Sequence, residues 1–476
     1  MRIIPPIYTW NKGILKFNQS SSRLAHKPWL LGVILMVCVA VAMLLANLPA
    51  TGHHYHAVLE TNIQLHLFSD DGRVNVLFPK DMTVEKFIND ILMVLFFFVV
   101  GLEIKREFAK GALSSTRKAM LPVIAAFGGV LAPALIYTAV NAGTASAGGW
   151  GIPTATDIAF AVCIISMMGG KVPLSLKIFL TALAVTDDLI AILVVILFYG
   201  GGVNPALLGL SLAVIAFVFL MRRLGEKRMF PYIACTLLVW VLFYYSGIHA
   251  TMSGVVMAFL IPSAPLYNKA QYYHKRNRLI ARLDELAESS GEPFPNHAQR
   301  SCLRRLESVA HGTLDMSYRI EHALGPWVNF LIVPLFALAN AGVTIGDTSL
   351  LNIFRYDSTL GSVSMGVFFG LLVGKPLGIM LFSWLAVKFR IAAMPENGSW
   401  RMLAAVACLG GIGFTMSIFI DTLSFGEQPE AVMLALRDAG KIAVLLASIC
   451  SGIFGSLMIM LTSRREKARR IPQESD

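Results

Sequence analysis

Apolar runs of about 20 residues recur along nearly the whole chain, and that is the length an α-helix needs to cross a hydrocarbon core of about 30 Å. A backbone in lipid must satisfy its own polar groups, so such runs fold as helices. They fall near residues 29–50, 84–103, 119–141, 150–169, 174–200, 203–221, 230–247, 248–264, 326–345, 361–387, 401–421 and 432–462. Only Ser246-Gly247 separates the seventh from the eighth. The hydrophobic residues make up 56% of the chain and the charged ones only 14%, with a mean hydropathy of +0.65, which excludes an ordinary soluble domain. The expected fold class is an all-α integral membrane protein of about 12 transmembrane helices. The first run starts after 28 residues with no small-residue cleavage site behind it, so it is expected to stay as the first helix.

A net charge of +11 raises the question of nucleic acid, and the distribution of that charge excludes it. With the N-terminus inside, all of the 40 Lys and Arg fall in cytoplasmic segments or helix ends except Arg73, Lys80, Lys86, Arg355 and Arg437 on or near the outer side and Lys375 and Lys441 within the membrane. That is the positive-inside pattern, and it puts both termini in the cytoplasm. The organisation expected is a cytoplasmic segment 1–28, a membrane domain 29–462 and a cytoplasmic tail 463–476.

Two polar stretches interrupt the spans. In the outer loop 51–83, alternating segments flank Ser69-Asp70-Asp71-Gly72, and Asp-Gly signals a small β-hairpin that could pair with a second subunit. The long basic cytoplasmic loop 265–320 contains RNRLIARLDELAESSG, with helical periodicity running to Gly291; it reads as a linker carrying one or two surface helices.

Charged residues inside spans locate the chemistry. Asp157, Asp187, Asp188 and Lys375 fall near mid-span, where each unpaired charge costs about 2.5 to 3.5 kcal/mol on the lenient insertion scale. They must pair, neutralise or meet water. Three carboxylates against one lysine exceed what gluing helices together requires, and oxygen donors suit a hard cation. Broken helix chemistry lies nearby. GWGIPTATDIAF places Pro153, Thr154, Thr156 and Asp157 within five positions, and CLGGIGFTMS places Gly410, Gly411 and Gly413 before Thr415. Both segments are expected to unwind, which membranes tolerate only where backbone is buried or lines a cavity. Gly366, Gly370, Gly374 and Gly378 repeat every fourth residue, forming a ridge for close helix approach. Lys375 beside it lies about 20 Å of helix from Lys388, too deep to reach the surface easily.

The segments GWGIPTATDIAFA, LKIFLTALAVTDDLIAI, GIHATMSGV, PLFALANAGV, GLLVGKPLGI and GGIGFTMSIFI, in this order, closely resemble the NhaA family of bacterial sodium/proton antiporters. The resemblance implies an inverted repeat with the fourth and eleventh helices discontinuous and crossing near the membrane centre. It implies that Asp187 and Asp188 are the cation-binding carboxylates, that Thr156 and Asp157 mark the crossing, and that Lys375 is the essential lysine. Glu103, Arg106, Glu107, Glu321 and His322 resemble parts of a cytoplasmic pH-sensing cluster. Two departures stand out: the loop before Glu321 is longer than the family's usual connection, and Gly325 occupies a place where some relatives carry a histidine.

The activity implied is extrusion of Na+ or Li+ in exchange for inward protons, across a bacterial inner membrane, by a protein expected to form homodimers. No cofactor and no enzymatic activity are expected. A sodium-coupled symporter of an organic solute is the alternative. An intramembrane aspartyl protease is not supported, because its Gly-x-Gly-Asp signature is missing from the spans.

Overall fold

Helices built from these runs have apolar side chains on every face, so packing rather than amphipathicity decides what each face meets. The computed structural model describes residues 28–63, 66–69, 72–75, 82–111, 113–114, 116–199, 204–226, 228–288, 295–345, 353–354, 356–357, 359–396, 398–426 and 428–470. Residues 1–27, Asp70, Asp71, Gly291 and 471–476 lie outside them. The chain forms two compact units, one of Met1–Phe96, Ile104–Gly202 and Pro326–Asp476, the other of Phe97–Glu103 and Val203–Gly325.

The first unit opens with α1 (Pro28–Asn47) and the short α2 (Gly52–Glu60). Strands β1 (His66–Ser69) and β2 (Gly72–Asn75) then pair antiparallel, with His66 opposite Asn75 and Ser69 opposite Gly72. Next come α3 (Val84–Ala109), of which Phe97–Glu103 belong to the second unit, and α4 (Thr116–Asn141). A 3-10 segment, Ala145–Thr154, leads through three non-helical residues to α5 (Ile158–Met167), and α6 (Leu174–Phe198) follows. The second unit holds α7 (Pro205–Arg223), α8 (Met229–Ser246), α9 (Thr251–Leu260), α10 (Lys269–Glu288) and α11 (His297–Gly312). Helix α12 (Met316–Asn340) begins there and ends in the first unit, which closes with α13 (Val363–Lys388), α14 (Trp400–Gly410), α15 (Phe414–Ser424) and α16 (Glu430–Arg470).

Among the described residues ten helices are long and apolar enough to cross a membrane, eleven if α14 and α15, bent by 45° at their break, count as one span. This makes the chain a multi-pass membrane protein. The expectation of about twelve is corrected at residues 248–264, where only the ten-residue α9 forms. Gly247, in the left-handed conformation at φ 85°, stops α8, and Pro262 follows α9 closely. Ten residues rise about 15 Å, half the hydrocarbon thickness.

Helix α4 illustrates the packing. Phe127, Leu131 and Leu135, four residues apart, are exposed and form a lipid-facing stripe. The opposite face receives the glycine ridge of α13. A Cβ on Gly378 would lie 2.0 Å from the Gly128 carbonyl oxygen, and one on Gly374 would lie 3.0 Å from the Pro133 Cα. Gly366 meets Tyr137 and Asn141, and Gly370 meets Pro153. The ridge read from the sequence therefore does bring a second helix into backbone contact.

Among the described residues three helices widen into π turns, α3 at Phe87–Leu92 and two others just before a proline: Val328–Ile332 before Pro334, and Gly370–Gly374 before Pro376. A proline lacks the amide that would bond to the fourth preceding carbonyl and clashes with it, and a wider turn relieves both problems. Lys375 sits at the end of the last of these turns.

Loop 265–320 contains the helical pair α10 and α11. Asn296 and Gln299 form a reciprocal cap at the start of α11, Gln299 Nε2 donates to the Leu286 carbonyl at 3.0 Å, and the Cys302 thiol donates to the Leu279 carbonyl at 3.2 Å. The loop's two ends meet, since the amides of Leu266 and Tyr267 both donate to the Gly312 carbonyl, at 2.8 and 3.0 Å.

Candidate ion-binding site

The non-helical residues between Thr154 and α5 lie against those between α14 and α15, because neither stretch satisfies its own backbone. The Asp157 amide donates to the Ile412 carbonyl at 2.7 Å. Glycines make this approach possible: a Cβ on Gly413 would be 3.1 Å from the Ala155 carbonyl oxygen, and one on Gly411 would be 2.5 Å from the Leu371 carbonyl oxygen. Two breaks read separately from the sequence thus form one junction.

Asp157 closes it. As N-cap of α5 its Oδ1 accepts from the Phe160 amide at 3.1 Å. Its Oδ2 accepts from the amide and hydroxyl of Thr415, in the first turn of α15, at 3.0 and 2.5 Å. One buried carboxylate therefore serves the N-terminal ends of two helices, where the helix dipoles favour negative charge.

Helix α6 presents the next two carboxylates, Asp187 and Asp188, both buried. Lys375 Nζ lies 2.9 Å from Asp187 Oδ2, with neither side chain exposed, and donates to the Thr154 carbonyl at 2.5 Å. Thr156 Oγ1 is 2.6 Å from the same Asp187 oxygen and 2.9 Å from the Gly410 carbonyl, so its single proton can serve only one of them at a time. Asp187 Oδ1 is buried without a hydrogen-bond partner and faces Gly129 of α4, where a Cβ would lie 3.8 Å away. Asp188 is within electrostatic reach of Lys375.

The structure thus gathers Thr156, Asp157, Asp187 and Lys375 around the junction, with Asp188 next in the chain to Asp187. A lysine reaching to the surface is excluded by its complete burial. Sequence reasoning did not single out the carbonyls of Thr154 and Gly410, which are backbone groups common to every residue. It also passed over Asp421, buried on α15, because its apolar run seemed to end there. The charge of that residue was the available signal.

The five residues read as a pH-sensing cluster fall partly in each compact unit: Arg106 and Glu107 in the first, Glu103, Glu321 and His322 in the second. Arg106 Nη2 lies 3.6 Å from Glu107 Oε1, and His322 stacks on Tyr318 with ring centroids 5.3 Å apart.

An interior with buried acids, one buried lysine and unwound backbone can hold a small cation or protons. The family model for Na+/H+ antiporter 1 matches residues 22–459. A Na(+)/H(+) antiporter NhaA 2 of Syntrophotalea carbinolica is 39% identical over 91% of this chain and 94% of its own length. A Na(+)/H(+) antiporter NhaA of Sulfurimonas denitrificans is 39% identical over 96% and 98%, and one of Escherichia coli 40% identical over 89% and 93%. With its spans, its twin breaks and its buried carboxylates accounted for along the same stretch that the family model covers, the chain belongs to the Na+/H+ antiporter 1 family.

Proposed function

We propose that this chain exchanges Na+ for H+ across a bacterial inner membrane, with both termini in the cytoplasm, and that the junction is where the ions compete. The observation that carries the reading is the fully buried Lys375–Asp187 pair, 2.9 Å apart, at the meeting of two broken helical segments. A buried ion pair is no gain in stability over apolar packing, and breaking it leaves an uncompensated charge. Its use here is as a switch.

In this reading Asp188 is the main Na+ ligand, helped by Asp187 and by Thr156 or nearby carbonyls. Na+ binding displaces Lys375 from Asp187. Protonation of the carboxylates expels Na+, because both ions need the same oxygens. If the loaded site alone moves between membrane faces, this competition couples inward proton flow to outward Na+ flow. Li+ is an alternative cargo. Asp157 balances the two helix ends, which otherwise face each other with like partial charge. The two broken segments cross, as halves of an inverted repeat.

Three further assignments belong to the same reading. Glu103, Arg106, Glu107, Glu321 and His322 set the pH response. Strands β1 and β2 lie on the outer surface and offer backbone edges to a second copy, giving a homodimer. The α10–α11 pair is cytoplasmic.

The test is dissipation of a pH gradient on Na+ or Li+ addition, in everted vesicles or proteoliposomes over a pH series, for the unsubstituted protein and Asp188→Asn. Collapse that the substitution abolishes supports exchange and its site together. A folded protein that ignores both cations at every pH overturns the function.

A further inference from the structure

We infer that Asp421 is a second proton-binding carboxyl, separate from the junction and standing on the path between it and one membrane face. The inference rests on the antiport reading above. Asp421 lies on α15 six residues beyond Thr415, about 9 Å along the helix axis. It is fully buried, neither carboxyl oxygen has a hydrogen-bond partner, and among the described residues no cation lies within ion-pair distance of it. Two other buried acids are held closely: Asp157 accepts three hydrogen bonds, and Asp187 has a lysine and a threonine.

The carboxyl occupies a notch that the opposing helix leaves for it. A Cβ on Gly440 of α16 would lie 2.1 Å from Asp421 Oδ1 and 2.9 Å from its Cγ. The charged groups facing it from α16 are Lys441, Arg437 and Asp438. Arg437 is already turned aside, donating to the Thr422 carbonyl, while its Nε is buried without a partner. Tyr137 of α4 and Tyr199 at the end of α6 are the other titratable groups in reach. Their hydroxyls are committed elsewhere, to the carbonyls of Ser146 and Gly148, each at 2.8 Å. One turn back along α15, on the same face, Ser417 carries a buried hydroxyl acceptor-donor without a partner, and it packs beside the break at Gly413.

A carboxyl so buried and so poorly bonded must bind something when it is not repelling its surroundings. The surroundings choose the ligand. Na+ needs several oxygens in place of its water shell, and among the described residues of α15 the one hydroxyl left uncommitted is that of Ser417, those of Thr415, Thr422 and Ser424 being hydrogen-bonded. A proton needs one lone pair. Asp421 binds a proton arriving from its face and releases one proton toward the carboxylates of the junction, so that nothing else changes in composition or charge.

The test compares two exchange modes in proteoliposomes: Na+/H+ exchange and Na+/Na+ exchange, which needs no proton. For Asp421→Asn the ratio of the first to the second falls by about tenfold or more, and its dependence on pH flattens. Asp421→Glu restores the ratio with a displaced pH profile. Equal ratios in unsubstituted and Asn proteins, or both modes falling in parallel, overturn the inference, as does a folded Glu variant whose ratio is as low as that of Asn. An unsubstituted protein without Na+-driven proton flux overturns the antiport reading itself, and this inference with it.

Discussion

A single lysine and three carboxylates set the character of the junction, and three of these four residues give separate expectations. Asp188→Asn abolishes Na+-dependent collapse of a pH gradient, by about two orders of magnitude or more, as expected when a charged ligand is lost from a desolvated site. Lys375→Ala leaves Asp187 buried without its cation, a truncation that costs about 3 to 5 kcal/mol; a lowered thermal midpoint and a displaced pH profile are the readouts. Asp157→Asn removes the charge shared by the first turns of α5 and α15, at about 1 to 2 kcal/mol, and the loss shows as earlier thermal unfolding. Full stability and transport in the Asn protein contradict the balancing role. These four residues were legible because a charge at mid-span has no ordinary reason to be there. Asp421 was not, since a charge at the apparent end of a span looks solvated, and the glycine that makes room for it lies 19 residues further on, in another helix.

The glycine- and proline-rich segments announced that two spans would break, and they do. What the sequence did not reveal was that the breaks lie against each other, because that depends on contacts between residues some 255 positions apart, such as the Asp157 amide with the Ile412 carbonyl. The π turns were illegible as such, although a proline four residues after the widened carbonyl is their common feature in α12 and α13. Span counting failed only where a glycine and a proline bracket a ten-residue helix. The ridge of α13 allows a direct test. Gly378→Leu drives a side chain into the Gly128 carbonyl, and overpacking of that severity costs about 3 kcal/mol. The variant is expected to give little folded protein on detergent extraction and size-exclusion chromatography, whereas Leu377→Ala, at an exposed neighbouring position, extracts normally.

Across the whole molecule the α10–α11 pair is a helical hairpin whose ends are held together by two backbone hydrogen bonds. Excising residues 268–311 and joining the ends with a short glycine-serine linker is therefore expected to leave Na+/H+ exchange within about twofold, because closing so short a gap costs little chain entropy; complete loss of exchange in folded protein gives the helical hairpin a role in transport. The contact between α4 and α13 bears on the motion that any such exchange requires. Side chains can trade one rotamer for another as helices slide, but here carbonyl and glycine touch with nothing interposed, so the two helices have no bearing surface on which to slip. They must travel as one strut, carrying Lys375 at a set depth, and the bending of the cycle is left to the unwound stretches where Asp157 and Thr415 meet.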